Sequence, residues 1–265
     1  MGERIIWGRN AVREAISAGK RVTEVIVLRE AADGHGVIAE MVRAASAAGT
    51  RVRKVGRESL DDMVREVSRR ENVHVKASAH QGIVAIVEES KPISLTELLE
   101  WVKGRPQGYQ AFGVAVDSLQ DPRNLGAIMR TADAVGVDFV LLPSRRCVGI
   151  TATVVKASAG GAEHVRAVEV VNLKQALLEL KEAGFWVMGL DASARLSIWE
   201  ADFRVPLVLV IGGESKGLSR IVGEKCDQLI KIPMFGHVNS LNASVAAAVA
   251  MYEVLRQRCS AEACT

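Results

Sequence analysis

Apolar positions recur along this chain in two different rhythms, and the change of rhythm divides it. Between residues 10 and 87 they predict helices over 10–18, 37–48 and 59–67 and strands over 22–28, 52–55 and 82–87. The helical stretches repeat their apolar positions every three to four residues, and the strands are short aliphatic runs bounded by polar turns. This alternation predicts a small α/β domain of two or three layers. Its opening, Trp7-Gly-Arg-Asn10, reads as a structural turn and helix cap rather than a site.

From residue 112 onward the strands lose their polar positions. The runs 112–116, 139–142, 165–171, 186–190, 207–211 and 229–232 are apolar almost throughout, as strands buried on both faces of a parallel sheet are. Helices are predicted between them, over 125–135, 151–159, 173–182, 218–224 and 242–256. The second class is therefore α/β with a parallel sheet covered on both sides. Between the two rhythms lie Pro92, an amphipathic segment over 95–102 and the stretch Gly104-Arg-Pro-Gln-Gly108. Ser94 caps that segment with Glu97 three residues on, and the Gly/Pro stretch marks a boundary. We expect a first domain over 1–80, a connecting segment over 81–110, a second domain over 111–258 and a tail over 259–265.

Composition narrows the class. Hydrophobic residues at 49% and charged residues at 25% fit a globular protein with a full core, and aromatics at 4% leave that core to Val, Ile, Leu and Ala. No signal peptide or bilayer-spanning run is evident. Cys147, Cys226, Cys259 and Cys264 are scattered without a CxxC pair, and the histidines lack metal-ligand spacing. We therefore expect no metal site and a reducing, cytoplasmic setting. The net charge of +3 is uneven: residues 1–80 hold 15 Lys/Arg against 11 Asp/Glu. Arg51, Arg53, Lys54, Arg57, Arg65, Arg69 and Arg70 lie close together there, either as a surface for phosphate backbones or as a solvated face balanced by interleaved acids.

In parallel α/β sheets ligands bind at the carboxyl ends of strands, so the loops after Val116, Ile211 and Ile232 carry the candidate chemistry. The first is Asp117-Ser-Leu-Gln-Asp-Pro-Arg-Asn124, where Asn124 suits a helix N-cap. Arg130, six residues on, is either snorkelling to the surface or aimed into a pocket as an anion clamp. The second ends its strand in Gly212-Gly213, where backbone can approach a ligand closely. It has no GxGxxG pattern, and Gly217 is followed by Leu218 rather than Lys-Ser/Thr, so neither standard nucleotide fingerprint fits. Glu214 beside these glycines suits a cationic or hydroxyl-bearing ligand. The third loop crowds Asn239, Ser240, Asn242 and Ser244 at the entrance of an Ala-rich helix. One cap needs one such side chain, so capping and a ligand site are both open readings.

Taken together, Asn124-Leu-Gly-Ala-Ile-Met-Arg130, Ile211-Gly-Gly-Glu-Ser-Lys-Gly-Leu218 and Ile232-Pro-Met with Asn239-Ser-Leu-Asn-Ala-Ser244 resemble the three signature motifs of the SpoU (TrmH-like) family. These are S-adenosylmethionine-dependent RNA ribose 2′-O-methyltransferases of the SPOUT superfamily. The N-terminal part resembles the family's substrate-binding domain, which is similar to ribosomal protein L30e. Trp7-Gly-Arg-Asn-Ala-Val12 and His80-Gln-Gly-Ile-Val84 look like the branch that methylates a guanosine of large-subunit (23S) ribosomal RNA. Ser215 departs from a frequent glycine, and Arg9-Asn10 from a frequent aliphatic residue and histidine.

The resemblance implies a SPOUT-type parallel sheet with a C-terminal deep trefoil knot, an exception to the rule against knotted chains, behind a small L30e-like domain. It implies S-adenosylmethionine held by backbone near Gly212, Gly213, Ile232 and Leu241. Asn124, Arg130, Glu214, Ser240 and Asn242 are implied as the catalytic set, and no metal is required. It also implies a homodimer through the catalytic domain. The 2′-oxygen must attack the methyl in line, a step that positioning can assist by ~7–11 kcal/mol. Guanidinium groups stay protonated near neutrality, so Arg130 is expected to stabilise the developing alkoxide rather than act as a base. Alternatives are a transfer-RNA ribose as substrate, or a non-catalytic RNA-binding assembly protein with the same fold.

Overall fold

A computed structural model of the chain describes residues 2–33, 35–89, 91–214 and 217–259. Ser215 and the tail residues 260–265, including Cys264, lie outside the described residues. In chain order the first elements are β1 (Glu3–Trp7), α1 (Arg9–Ser17), β2 (Val22–Leu28), α2 (Arg29–Ala32), α3 (Val37–Ala47), β3 (Arg51–Val55), α4 (Arg57–Arg70) and β4 (Ile83–Glu88), with a 3₁₀ turn at Ala77–His80. Next come α5 (Leu95–Lys103), β5 (Phe112–Asp117), α6 (Pro122–Ala134), β6 (Phe139–Pro143), α7 (Ala152–Ala157), a 3₁₀ turn at Gly161–Glu163, β7 (Arg166–Val170) and α8 (Leu173–Glu182). The last are β8 (Trp186–Leu190), β9 (Leu196–Ser197), β10 (Leu207–Gly212), α9 (Arg220–Gly223), β11 (Gln228–Lys231) and α10 (Ala243–Arg258).

The chain forms two units, one of Met1–Lys91 with Ile150–His164 and one of Pro92–Gly149 with Val165–Thr265. In the first, a sheet of order β1-β4-β2-β3 pairs β4 antiparallel with β1 and β2, and β2 parallel with β3. The boundary expected at residue 80 therefore moves to Lys91: β4 lies inside this sheet, bonded on both edges. Strand β1 was not expected, because its apolar stretch is only Ile5-Ile-Trp7 behind two charged residues. Trp7 is fully buried beside Ile26, Leu60, Val64 and Val84.

A second correction concerns the helix expected over 151–159 as a cover for the second sheet. Its counterpart α7 belongs to the first unit, where Ala152 joins the Trp7 cluster. The Glu71 carboxylate accepts the N–H groups of Ala152 (2.7 Å) and Thr153 (3.1 Å), meeting the unpaired donors of a helix start. Arg4 donates to the Ile150 carbonyl at 2.7 Å and to Glu163 at 2.8 Å, and Lys20 lies 3.4 Å from the other oxygen of Glu163. A buried carboxylate needs such partners, and both of these cations come from the N-terminal segment.

The second unit is the expected parallel sheet, of order β7-β6-β5-β10-β8-β11-β9, with every pair parallel. Strand alternation sends Ala115, Leu141, Val208 and Val210 to one face, where Leu98 of α5, Leu177 and Leu180 of α8 and Val222 of α9 pack. The opposite face carries α10, which packs on β10 and α6. Gly113 makes room for Phe139: a Cβ there would sit 2.2 Å from its ring. At the end of α10, Arg258 donates to the carbonyls of Phe203 (2.9 Å), Gln110 (2.7 Å) and Val205 (2.6 Å). Among the described residues no helix is long and apolar enough to cross a membrane.

Candidate functional site

Strands β5, β10, β8 and β11 are consecutive neighbours in one parallel sheet, so their carboxyl ends share one edge. The chain runs from β5 to β6 and β7 on one side, then crosses to β8 on the other. That reversal is the switch point at which such sheets open a crevice.

The glycines after β10 are fixed by close contact rather than by flexibility. A Cβ on Gly212 would lie 2.1 Å from the Gly217 carbonyl carbon, and one on Gly213 would lie 2.4 Å from the Ser118 oxygen. Gly217 is left-handed (φ 62°) and donates its N–H to Gly213 at 3.1 Å, folding the loop back on itself. Asp117, buried at the end of β5, accepts the Ser219 N–H at 2.7 Å and so ties the first loop to the second.

These loops enclose a cavity of about 320 Å³, within the usual range for small-molecule sites. Gly212, Gly213, Glu214, Ile232, Ser240 and Leu241, all expected from sequence, line it. Met234 and Asn239 of the third motif line it as well, together with Leu190 and Asp191, which were not singled out. Asp191 follows β8, whose carboxyl end stands between those of β10 and β11. The strand-end rule would have found it had it been applied to all four strands.

Asn124 and Asn242 do not line the cavity but are joined to it. Asn124 Nδ2 donates to Glu214 Oε1 at 2.8 Å, and Asn242 Nδ2 donates to Asn124 Oδ1 at 3.0 Å. One hydrogen-bonded chain thus links all three motifs. Asn124 is not the N-cap of α6: Asp121 accepts the Arg123 N–H there, with Pro122 opening the helix. Asn124 stands in the first turn, buried, with its amide free for Glu214 and Asn242. Asn242 does cap α10, its Oδ1 accepting Ser244 N–H at 2.9 Å, so capping and a place in the polar chain coexist in one side chain.

Burial pushes the Glu214 carboxyl up, but the Asn124 amide and backbone N–H groups of Glu214, Asp121 and Gln120 outweigh it and hold the group below its ordinary range. Glu214 is therefore an ionised acceptor near neutrality. Burial also drives the nearby Cys147 thiol up to about 11, with Glu214 and Asp117 adding to the shift, which makes it a poor nucleophile there.

Arg130 is placed apart. It is exposed, does not line the cavity and has no hydrogen-bond partner among the described residues. Six residues at roughly 100° each put it about 120° round α6 from Asn124. Asn124 and Glu214 consequently bond to each other rather than to Arg130.

Residues 111–252 match the SpoU rRNA Methylase family, and residues 5–93 match the RNA 2′-O ribose methyltransferase substrate-binding family. The chain belongs to the SpoU methylase family. The SpoU chain is 43% identical over 253 residues to YacO of Bacillus subtilis (strain 168), covering 96% of this chain and 95% of that protein, whose name places it in the TrmH family of tRNA/rRNA methyltransferases. A Staphylococcus aureus (strain MSSA476) protein named in the same way is 40% identical over 258 residues, covering 97% of this chain and 98% of its own. The SpoU methyltransferase AviRb of Streptomyces viridochromogenes, solved with AdoMet, superposes with a TM-score of 0.76 at 25% identity, over 97% of this chain and 91% of its own. The SpoU match spans residues 150–164, so the part of the methylase sequence that builds α7 is packed in the first unit.

Proposed function

We propose that this SpoU chain 2′-O-methylates the ribose of a guanosine in 23S ribosomal RNA, with S-adenosylmethionine as donor. The observation that carries the reading is the Asn242–Asn124–Glu214 chain at the lip of the glycine-walled cavity. The cavity suits the donor: Leu190, Leu218, Ile232 and Leu241 offer apolar walls for an adenine, and Asp191 and Glu214 offer acceptors for hydroxyls and a cationic centre. When bound, S-adenosylmethionine supplies an electrophilic methyl on a sulfonium.

The residues of this chain do the rest by position and charge. Glu214, fixed by the Asn124 amide, and Ser240, exposed at the lip, hold the ribose so that its 2′-oxygen faces the cavity. Asn242 keeps Asn124 oriented through the 3.0 Å bond. Arg130, exposed and without a described partner, is available to the incoming RNA; it clamps a phosphate and stabilises the alkoxide as it forms. The exposed Val245 and Tyr252 on α10 support a homodimer through the catalytic domain. The rest of the reading takes the family's trefoil knot at the C-terminal end of the sheet and a cytoplasmic site of action.

Names of the relatives include transfer RNA, which favours a tRNA ribose as the second reading. Incubation of the purified chain with labelled S-adenosylmethionine and either rRNA or tRNA, followed by mapping of 2′-O-methyl positions, separates the two. The label should enter a 23S guanosine; label confined to tRNA sinks the rRNA assignment, and label in neither sinks the enzymatic reading. Gly213→Ala is expected to weaken S-adenosylmethionine binding at least ~tenfold, because the new Cβ would meet the Ser118 carbonyl at 2.4 Å and push the first loop. Unchanged affinity in a calorimetric titration would remove Gly213 from the cofactor wall.

A further inference from the structure

The first unit has a cavity of its own, of about 580 Å³, whose polar side is formed by Arg9, Asn10, Arg57, Ser78, His80 and Gln81. Leu28, Ala31 and Ile38 give it an apolar side, and none of the lining residues is acidic. We propose that this cavity takes an unpaired nucleotide of the RNA substrate, its phosphate held between Arg9 and Arg57. This rests on the reading of the chain as an RNA methyltransferase and assigns one job within RNA recognition to named residues.

Charge pairing is the main support. Of the seven basic residues between 51 and 70, six are ion-paired, sharing four acids of the same unit. Arg51 and Arg53 pair with Glu24, Lys54 with Asp33, Arg65 with Asp62, and Arg69 and Arg70 with Glu66. Arg57 has no such partner among the described residues, is exposed, and is the member of the group that lines the cavity. Arg9 likewise has no acidic partner among them; its backbone N–H and its guanidinium turn to the side chain and carbonyl of Gln81 at 3.1 and 3.4 Å. Two guanidiniums over one acid-free cavity are an arrangement suited to an anion.

Helix ends add to it. Helices α1, α3 and α4 send Arg9, Ile38 and Arg57 of their first turns into the lining, and each follows a glycine with no side-chain cap. Side-chain oxygens do cap α7 of the first unit and α5, α6, α8 and α10 of the second, whereas α9 has no such cap. Glu40 and Glu58 stand in the first turns of α3 and α4, but neither lines the cavity. The rim is built rather than loose. Buried His80 accepts the Gly82 N–H on Nδ1 at 2.8 Å, so its Nε2 carries the proton that faces Asp61 at 3.0 Å. Gln81 is thereby held left-handed (φ 54°) with its amide over Arg9. The amides of Asn10 and Gln81 and the Ser78 hydroxyl can meet a base edge or a 2′-hydroxyl, the groups by which single-stranded RNA is read.

The test uses the full chain and a fluorescein-labelled single-stranded RNA of mixed sequence, titrated over a range of salt. Arg57→Gln and the double variant Arg9→Gln/Arg57→Gln are compared with Arg65→Gln, which removes the same charge from the same helix outside the cavity. The double variant should bind roughly tenfold more weakly or worse. Its log affinity against log salt should be shallower by about 0.7 for each phosphate that is no longer neutralised. Affinity unchanged in the double variant, or weakened equally by Arg65→Gln, overturns the site. Failure of the unaltered chain to bind RNA while still binding S-adenosylmethionine defeats the RNA reading itself, and that outcome is read before any variant is made.

Discussion

Arg130→Ala is expected to lower the turnover of methyl transfer by about 10²–10³-fold, the loss typical when a positioned charge is taken from a developing oxyanion. Fold and S-adenosylmethionine affinity should not change, because Arg130 is exposed, lies outside the cavity and has no described partner to strand. Alanine is also the better helix former in α6. Arg130→Lys separates the two parts of the role: the point charge is kept and the bidentate fork is removed, so activity should recover only in part. Single-turnover assays at saturating RNA, with calorimetry for the cofactor, make the measurement. Turnover of Arg130→Ala within about twofold of the unaltered chain would remove this residue from the chemistry and leave the polar chain of Asn124, Glu214 and Asn242 to account for it.

A second large effect is expected in the first unit. Glu163 is 3% exposed and Arg4 9% exposed, and they bond at 2.8 Å. Glu163→Ala leaves Arg4 buried with only the Ile150 carbonyl to accept from it, a loss of about 3–5 kcal/mol for a buried pair. The damage should be local, so hydrogen exchange in β1 and α7 should accelerate while exchange in β10 does not. Replacing both members, as Arg4→Met with Glu163→Leu, should cost less than Glu163→Ala alone, since no unpaired buried charge remains. A cost below about 1 kcal/mol for Glu163→Ala would mean that water reaches Arg4 once the carboxylate is gone.

How far the sequence told this in advance depended on whether the deciding partner was close by. The strands of the second sheet were legible because burial on both faces leaves no polar position to confuse the pattern. The glycines at 212 and 213, Glu214 and the polar crowd at 239–244 were legible because each stands at a strand end. Asn124 was legible as a polar residue at a helix start but not as what it is, because Asp121 and Pro122 cap α6 instead and free its amide for Glu214, 90 residues away. The segment at 151–159 was legible as a helix, yet nothing local says which core it joins. That is decided by Glu71, which accepts the Ala152 N–H, and by Arg4, which bonds Ile150 and Glu163 on either side of the segment. The basic stretch at 51–70 shows the same limit: a count of charges cannot tell that Arg57 alone of the seven has no acidic partner among the described residues, since the pairing is set by Glu24 on β2, by Asp33 after α2 and by the turns of α4.

The way Ile150–His164 is built into the first unit also sets an order of events during synthesis. A domain at the start of a chain is ordinarily complete soon after it leaves the ribosome. Here the sheet of β1 to β4 can form early, but Trp7 lacks Ala152 and Arg4 lacks Glu163 until residue 164 has emerged. At ~5–20 residues per second that wait is roughly 4–15 s after Lys91, long on the scale of helix and hairpin formation. Ribosome-bound chains stalled shortly before residue 150 should therefore expose the α7 docking face to protease, and chains stalled well past residue 164 should protect it.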